Sequence, residues 1–67
     1  MIKIYNMENT QTTDNKEYVT GEFRGLSTDS KPTKVGEKYV DNGAVFIEIN
    51  TGKIYFYDLE NTQWREV

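Results

Sequence analysis

Residues 44–58 read AVFIEINTGKIYFYD, the most apolar part of the chain. Val45, Ile47 and Ile49 alternate with Phe46, Glu48 and Asn50, and Ile54 and Phe56 alternate with Tyr55 and Tyr57. A period of two in β-branched and aromatic residues is the signature of a strand with two unlike faces. Asn50-Thr51-Gly52 between the two arms is turn chemistry, so the segment predicts a β-hairpin. Two registers compete. A three-residue loop built on a type I turn gives Gly52 the left-handed position and sets Ile49 opposite Lys53 and Ile47 opposite Tyr55. A two-residue Thr51-Gly52 turn sets Ile49 opposite Ile54 and gathers Val45, Ile47, Ile49, Ile54 and Phe56 on one face. The second makes the better core and the first the better turn, because Thr resists positive φ. Both leave a face that bears tyrosines.

Working outward, Asp58-Leu59-Glu60-Asn61-Thr62 is a second polar turn, and QWREV (63–67) closes a three-stranded antiparallel meander anchored by Trp64. Asn42-Gly43 marks a turn just before the hairpin. Upstream, FRGLSTDSKPT (23–33) is poor material for a central strand or a helix, because Pro32 lacks a donor and biases Lys31 towards extension. EYVTGEFR (17–24) returns to β-forming residues, with Gly21 marking a bulge or a close backbone approach. MIKIY at the start predicts a short strand, with Ile2 and Ile4 on one side. NMENTQTTDNK (6–16) has Met7 as its sole apolar member and reads as a loop or mobile arm. No segment sustains a 3.6-residue apolar period. The expectation is an all-β chain: a small antiparallel sheet or open barrel with little or no helix. Residues 1–16 would form a strand and polar arm, and residues 17–67 a small β domain.

Composition narrows the chemistry. A chain of 67 residues with 36% apolar side chains is near the lower limit for a self-sufficient core. With no Cys and no His it has no disulfide, and it lacks the usual ligands of a zinc or transition-metal site. A partner chain is then the expected extra source of stability. The net charge of −3, with both signs interspersed, disfavours nucleic-acid binding, which needs a basic face. No apolar run approaches the length of a signal peptide or membrane span, so no membrane partner is expected.

FRGLSTDSKPT invites a phosphate-loop reading, but Gly25 has no second glycine before Lys31, Pro32 stands where Ser or Thr is needed, and no helix follows. A Ser–Lys nucleophile pair fails on spacing, since Ser27 lies four residues before Lys31 and Ser30 is adjacent to it. Hydroxyls that satisfy turn amides explain these residues better. Asp14, Asp29, Asp41, Asp58 and Glu60 all fall in predicted turns, and none forms a calcium loop. No catalytic, metal or cofactor-binding residue is therefore assigned. Ile2, Ile4, Tyr55, Tyr57 and Trp64 are the candidate interface residues, the first two as an added strand and the aromatics as a surface. The competing reading is that the rings cover the core.

The stretch GEFRGLSTDSKPT, followed by VFIEINTGKIYFYD and a closing WREV, resembles short proteins of tailed bacteriophages and prophages of Gram-positive hosts. Their pattern is GLSTDxKPT, a turn, FxExDTGxxYxYD and a Trp. The resemblance spans about residues 21–67 and departs from the pattern at Asn50, where Asp is usual. It implies a virion structural protein without catalytic residues, in the particle, as a capsid decoration or a head or tail accessory subunit. Other phage structural proteins and further copies of the chain would be its partners. The alternative is a small phage-encoded binding module for a cell-surface glycan or a host protein. An enzyme using carboxylates is a weak third.

Overall fold

A computed structural model describes residues 1–67. It contains no helix and seven strands: β1 (Lys3–Thr13), β2 (Lys16–Gly25), β3 (Lys34–Val35), β4 (Lys38–Val40), β5 (Val45–Glu48), β6 (Ile54–Asp58) and β7 (Gln63–Glu66). The all-β expectation holds, and the strands form one curled, open sheet that resembles half a barrel. The C-terminal meander is also present, with β5, β6 and β7 antiparallel in sequence order.

The sheet is mixed rather than wholly antiparallel. β2 is flanked on one side by β1 and on the other by β4 and then β5, both parallel to it. Parallel neighbours require a crossover of about a dozen residues or more. The segment after Gly25 supplies it, returning the chain to the start of β2.

The polar stretch 6–16 is not a loop or a mobile arm: β1 runs through it to Thr13 and pairs along the length of β2. Every residue of β1 is exposed, so burial does not fix this strand. The ladder to β2 satisfies the backbone groups along one edge, and its three threonines favour extended chain. The turn at Asp14 (φ 52°) and Asn15 (φ 63°) uses the two residue types besides Gly that tolerate positive φ best.

Two bulges interrupt the ladder. Asn6 (φ 54°) and Met7 stand between the pairs Tyr5–Glu22 and Glu8–Thr20, where β2 has only Gly21. A Cβ on Gly21 would lie 3.2 Å from Ile4 Cγ2, which confirms the close approach expected there. Thr10 is the extra residue of the second bulge.

The hairpin adopts neither expected register. Val45 pairs with Phe56, Phe46 with Tyr55 and Ile47 with Ile54. This leaves a four-residue loop, Ile49–Gly52, in which the Gly52 N–H donates to the Glu48 carbonyl at 2.8 Å and Gly52 takes φ 76°. The core lies on the face opposite the gathered aliphatics. Phe23, Val40, Ala44, Phe46 and Tyr57 form it, with Ile2, Val35, Tyr55, Leu59 and Trp64 packed against them. Five aromatic rings on the inner face outweigh the aliphatic alternation. Glu48, which makes that face read as the solvent side, is buried there with a partner.

Candidate interaction surface

The inner face is closed by residues 26–33, a strap laid across the mouth of the half-barrel. It is stitched down along its length. The Asp29 carboxylate accepts from the Leu26 N–H at 2.8 Å and shapes the first turn. Ser27 and Asn50 exchange two hydrogen bonds, Ser27 N–H to Asn50 Oδ1 at 2.9 Å and Asn50 Nδ2 to Ser27 Oγ at 2.8 Å. Lys31 Nζ reaches Glu48 Oε2 at 2.7 Å, and Trp64 Nε1 donates to the Pro32 carbonyl at 2.9 Å. Finally, the Val40 N–H donates to the Thr33 carbonyl at 3.1 Å. The strap and the β5–β6 hairpin therefore hold one another, which gives these polar residues an architectural role.

Gly25 marks where the strap leaves β2. It does not take positive φ; its place is set by crowding, since a Cβ there would meet Phe46 Cζ, Ile2 Cγ1 and Asp29 Oδ2, each at 3.0 Å.

Lys31 and Glu48 are the one largely buried ion pair, with side-chain exposures of 18% and 4%. The Lys31 ammonium, then the Thr51 hydroxyl, hold the Glu48 carboxyl below its ordinary range. The ammonium also lies over the rings of Tyr55 (4.3 Å) and Phe46 (4.9 Å), so aromatic faces and a carboxylate replace its water. Asp41 anchors the long hairpin. Burial pushes its pKa up, but hydrogen bonds from the Thr10 hydroxyl, the Asn42 amide and the Gln11 side chain outweigh that and lower it. The second bulge thus turns Thr10 onto Asp41. At the other end of the sheet Asp58 is held down at about 2 by Asn61 and then Arg65.

The structure separates the expected interface residues. Tyr57 is 4% exposed, and burial raises its hydroxyl pKa. Trp64 packs on Phe23, Phe46 and Tyr57, with centroid distances of 5.7, 5.9 and 4.9 Å. Tyr55 is half-buried under Lys31, and Ile2 packs on the core. Tyr55, Tyr57 and Trp64 consequently make no exposed aromatic platform for a glycan; they are core residues whose side chains turn inward. Ile4 alone is exposed.

The surface that stands open is the outer sheet face, whose aliphatics the two-residue turn would have gathered as a core. Cross-strand pairing builds it in rows. One row runs Tyr5, Glu22, Val45, Phe56, Arg65, and the next runs Lys3, Arg24, Ile47, Ile54. Ile49 (61% exposed), Phe56 (48%) and Ile54 (42%) form its apolar middle, with Leu26 and Tyr5 beside them. Charged groups flank it on both sides. Arg24 pairs with Glu22 and stacks on the Tyr5 ring at 3.9 Å, and Arg65 pairs with Asp58 at 2.8 Å. Tyr5, Arg24, Leu26 and Ile49, together with Lys3, line a shallow depression of about 360 Å³. One signal for this face was present in the sequence: the aromatics Phe46, Tyr55, Tyr57 and Trp64 can share a face only if Ile47, Ile54 and Phe56 point the other way. No group of three or more Asp or Glu side chains converges to hold a metal ion.

Comparison of the chain with protein-family models, curated proteins and solved structures finds no match.

Proposed function

We propose that the chain is a non-enzymatic structural subunit of a bacteriophage particle, a capsid decoration or a head or tail accessory protein. It works by covering its outer sheet face with another protein. The observation that carries the assembly reading is the distribution of apolar side chains. Nine large apolar residues are exposed, against six apolar residues that are buried, and five of the nine cluster on or beside one sheet face. An exposed apolar patch of that kind, rimmed by polar groups, marks a protein interaction site. The motif segments 21–33 and 45–58 support the phage assignment, and their role in closing the core suits a scaffold with no reaction to perform.

Mass spectrometry of purified particles of the encoding phage tests the proposal. The expected result is the chain in many copies per particle. Its absence from particles, with the protein abundant in infected cells, would overturn the virion reading.

A further inference from the structure

We infer that the outer sheet face is covered by the same face of a second copy, making a twofold-symmetric dimer in which two sheets stack as a sandwich. This deepens the assembly reading by naming the surface and its occupant, and it rests on that reading only for the biological setting.

The first observation is the order of residues across the sheet. In the row Tyr5–Glu22–Val45–Phe56–Arg65, an acid and a base bracket two apolar residues. A twofold axis lying in the interface, parallel to the strands and between β5 and β6, reverses this row over itself. Val45 of one copy then lies over Phe56 of the other, and Glu22 over Arg65, and symmetry repeats both contacts. The same operation sets Ile47 over Ile54 in the next row. A face carrying one sign of charge would repel its own copy, whereas this one complements it. The existing partners Arg24 and Asp58 extend each new contact into a four-charge group.

The second observation is area. From the exposures of Ile49, Ile54 and Phe56, plus half-buried Val45 and Ile47, the apolar part presents roughly 400 Å² per copy. The flanking Glu22, Arg24 and Arg65 add charged area to this and bring the face towards the ~800 Å² per partner of a standard stable interface. Stacked sheets separate by about 10 Å, the depth that interdigitated Ile and Phe side chains fill.

Sedimentation equilibrium of the purified chain, with circular dichroism to confirm folding, gives the test. The wild type is expected to be a dimer at micromolar concentration. Phe56→Asp should weaken the dimer at least ~100-fold while leaving the strand signal intact, because Phe56 lies outside the core. Charge reversal supplies the specific control. Glu22→Arg and Arg65→Glu should each weaken the dimer roughly tenfold or more, and the double variant should recover most of that loss. A monomeric wild type, a dimer indifferent to Phe56→Asp, or a double variant no better than the singles would each overturn the inference. If the monomer nonetheless enters particles and Phe56→Asp stops it, the face binds a different protein and only the dimer is refuted. If the dimer forms but particles lack the chain, the virion reading falls and the dimer stands.

Discussion

Phe46 and Phe56 sit ten residues apart in the same hairpin, yet the structure assigns them opposite environments. Phe46 is fully buried, with its ring against Trp64 at 5.9 Å and beneath the Lys31 ammonium at 4.9 Å. Truncating it to Ala removes the transfer free energy and leaves a cavity, at a cost of about 3–5 kcal/mol. A domain of this length is stable by only about 3–10 kcal/mol, so Phe46→Ala should be largely unfolded or close to it. Phe56 is already 48% exposed, and Phe56→Ala in the monomer should cost about 1 kcal/mol. Urea denaturation at concentrations low enough to keep the chain monomeric would measure both. Trp64, the sole tryptophan, is surrounded by core aromatics and reports the transition through its fluorescence. The expected gap is at least ~2 kcal/mol, with Phe46→Ala the worse. Equal losses, or a greater loss for Phe56→Ala, would invert the inner and outer faces and refute the register on which the interaction surface depends.

Other outcomes follow from single contacts. Trp64→Phe keeps the ring packing but deprives the Pro32 carbonyl of its donor, and should lower stability by about 1–3 kcal/mol in circular-dichroism melts. Gly52 has open space where a Cβ would go but sits at φ 76°, so Gly52→Ala should cost about 1 kcal/mol through backbone strain alone, and Gly52→Asn less. Acid should destabilise the fold. Asp29, Asp41, Glu48 and Asp58 all have lowered folded pKa values, so their stabilisation is complete above the unfolded values near 4 and is lost as pH falls through the folded ones. For Asp58 that window runs from 3.8 down to about 2. A melting temperature that stays level down to about pH 5 and declines below about pH 4 is expected, and a decline starting near neutrality would contradict it.

The strands of the C-terminal meander were legible because β-branched and aromatic residues alternate between clear turns. Which face they bury was not. Alternation fixes that Phe46 and Ile47 point apart but not which of them meets Phe23, and that contact arises only when β5 docks beside β2. Glu48 misled because its charge is neutralised by Lys31, 17 residues away in the strap. The part of β1 beyond Tyr5 was missed for a different reason. Its polarity correctly excludes burial, but a strand needs only a ladder partner, and Lys16 to Thr20 provides one. The aromatics Tyr55, Tyr57 and Trp64 were expected as an interaction surface, but they lie in or against the core, as the competing reading had it. The outer face escaped notice because an exposed row of Ile and Phe is indistinguishable from a core until the opposite face is filled.

The strap also has a consequence for how the chain reaches this structure. Both the long N-terminal hairpin and the C-terminal meander join neighbours in sequence, so each can form early from local contacts. β2 cannot align with β5 until residues 26–44 have looped back, because Phe23 and Phe46 are separated by that whole crossing. The Ser27–Asn50, Lys31–Glu48 and Trp64–Pro32 contacts each join the crossing to the C-terminal meander, so none of them can form within either hairpin alone. The strap is therefore the latch of the folding reaction. Substitutions in it should act mainly on the rate at which two preformed halves unite or come apart, and that rate governs how long a subunit remains competent to assemble.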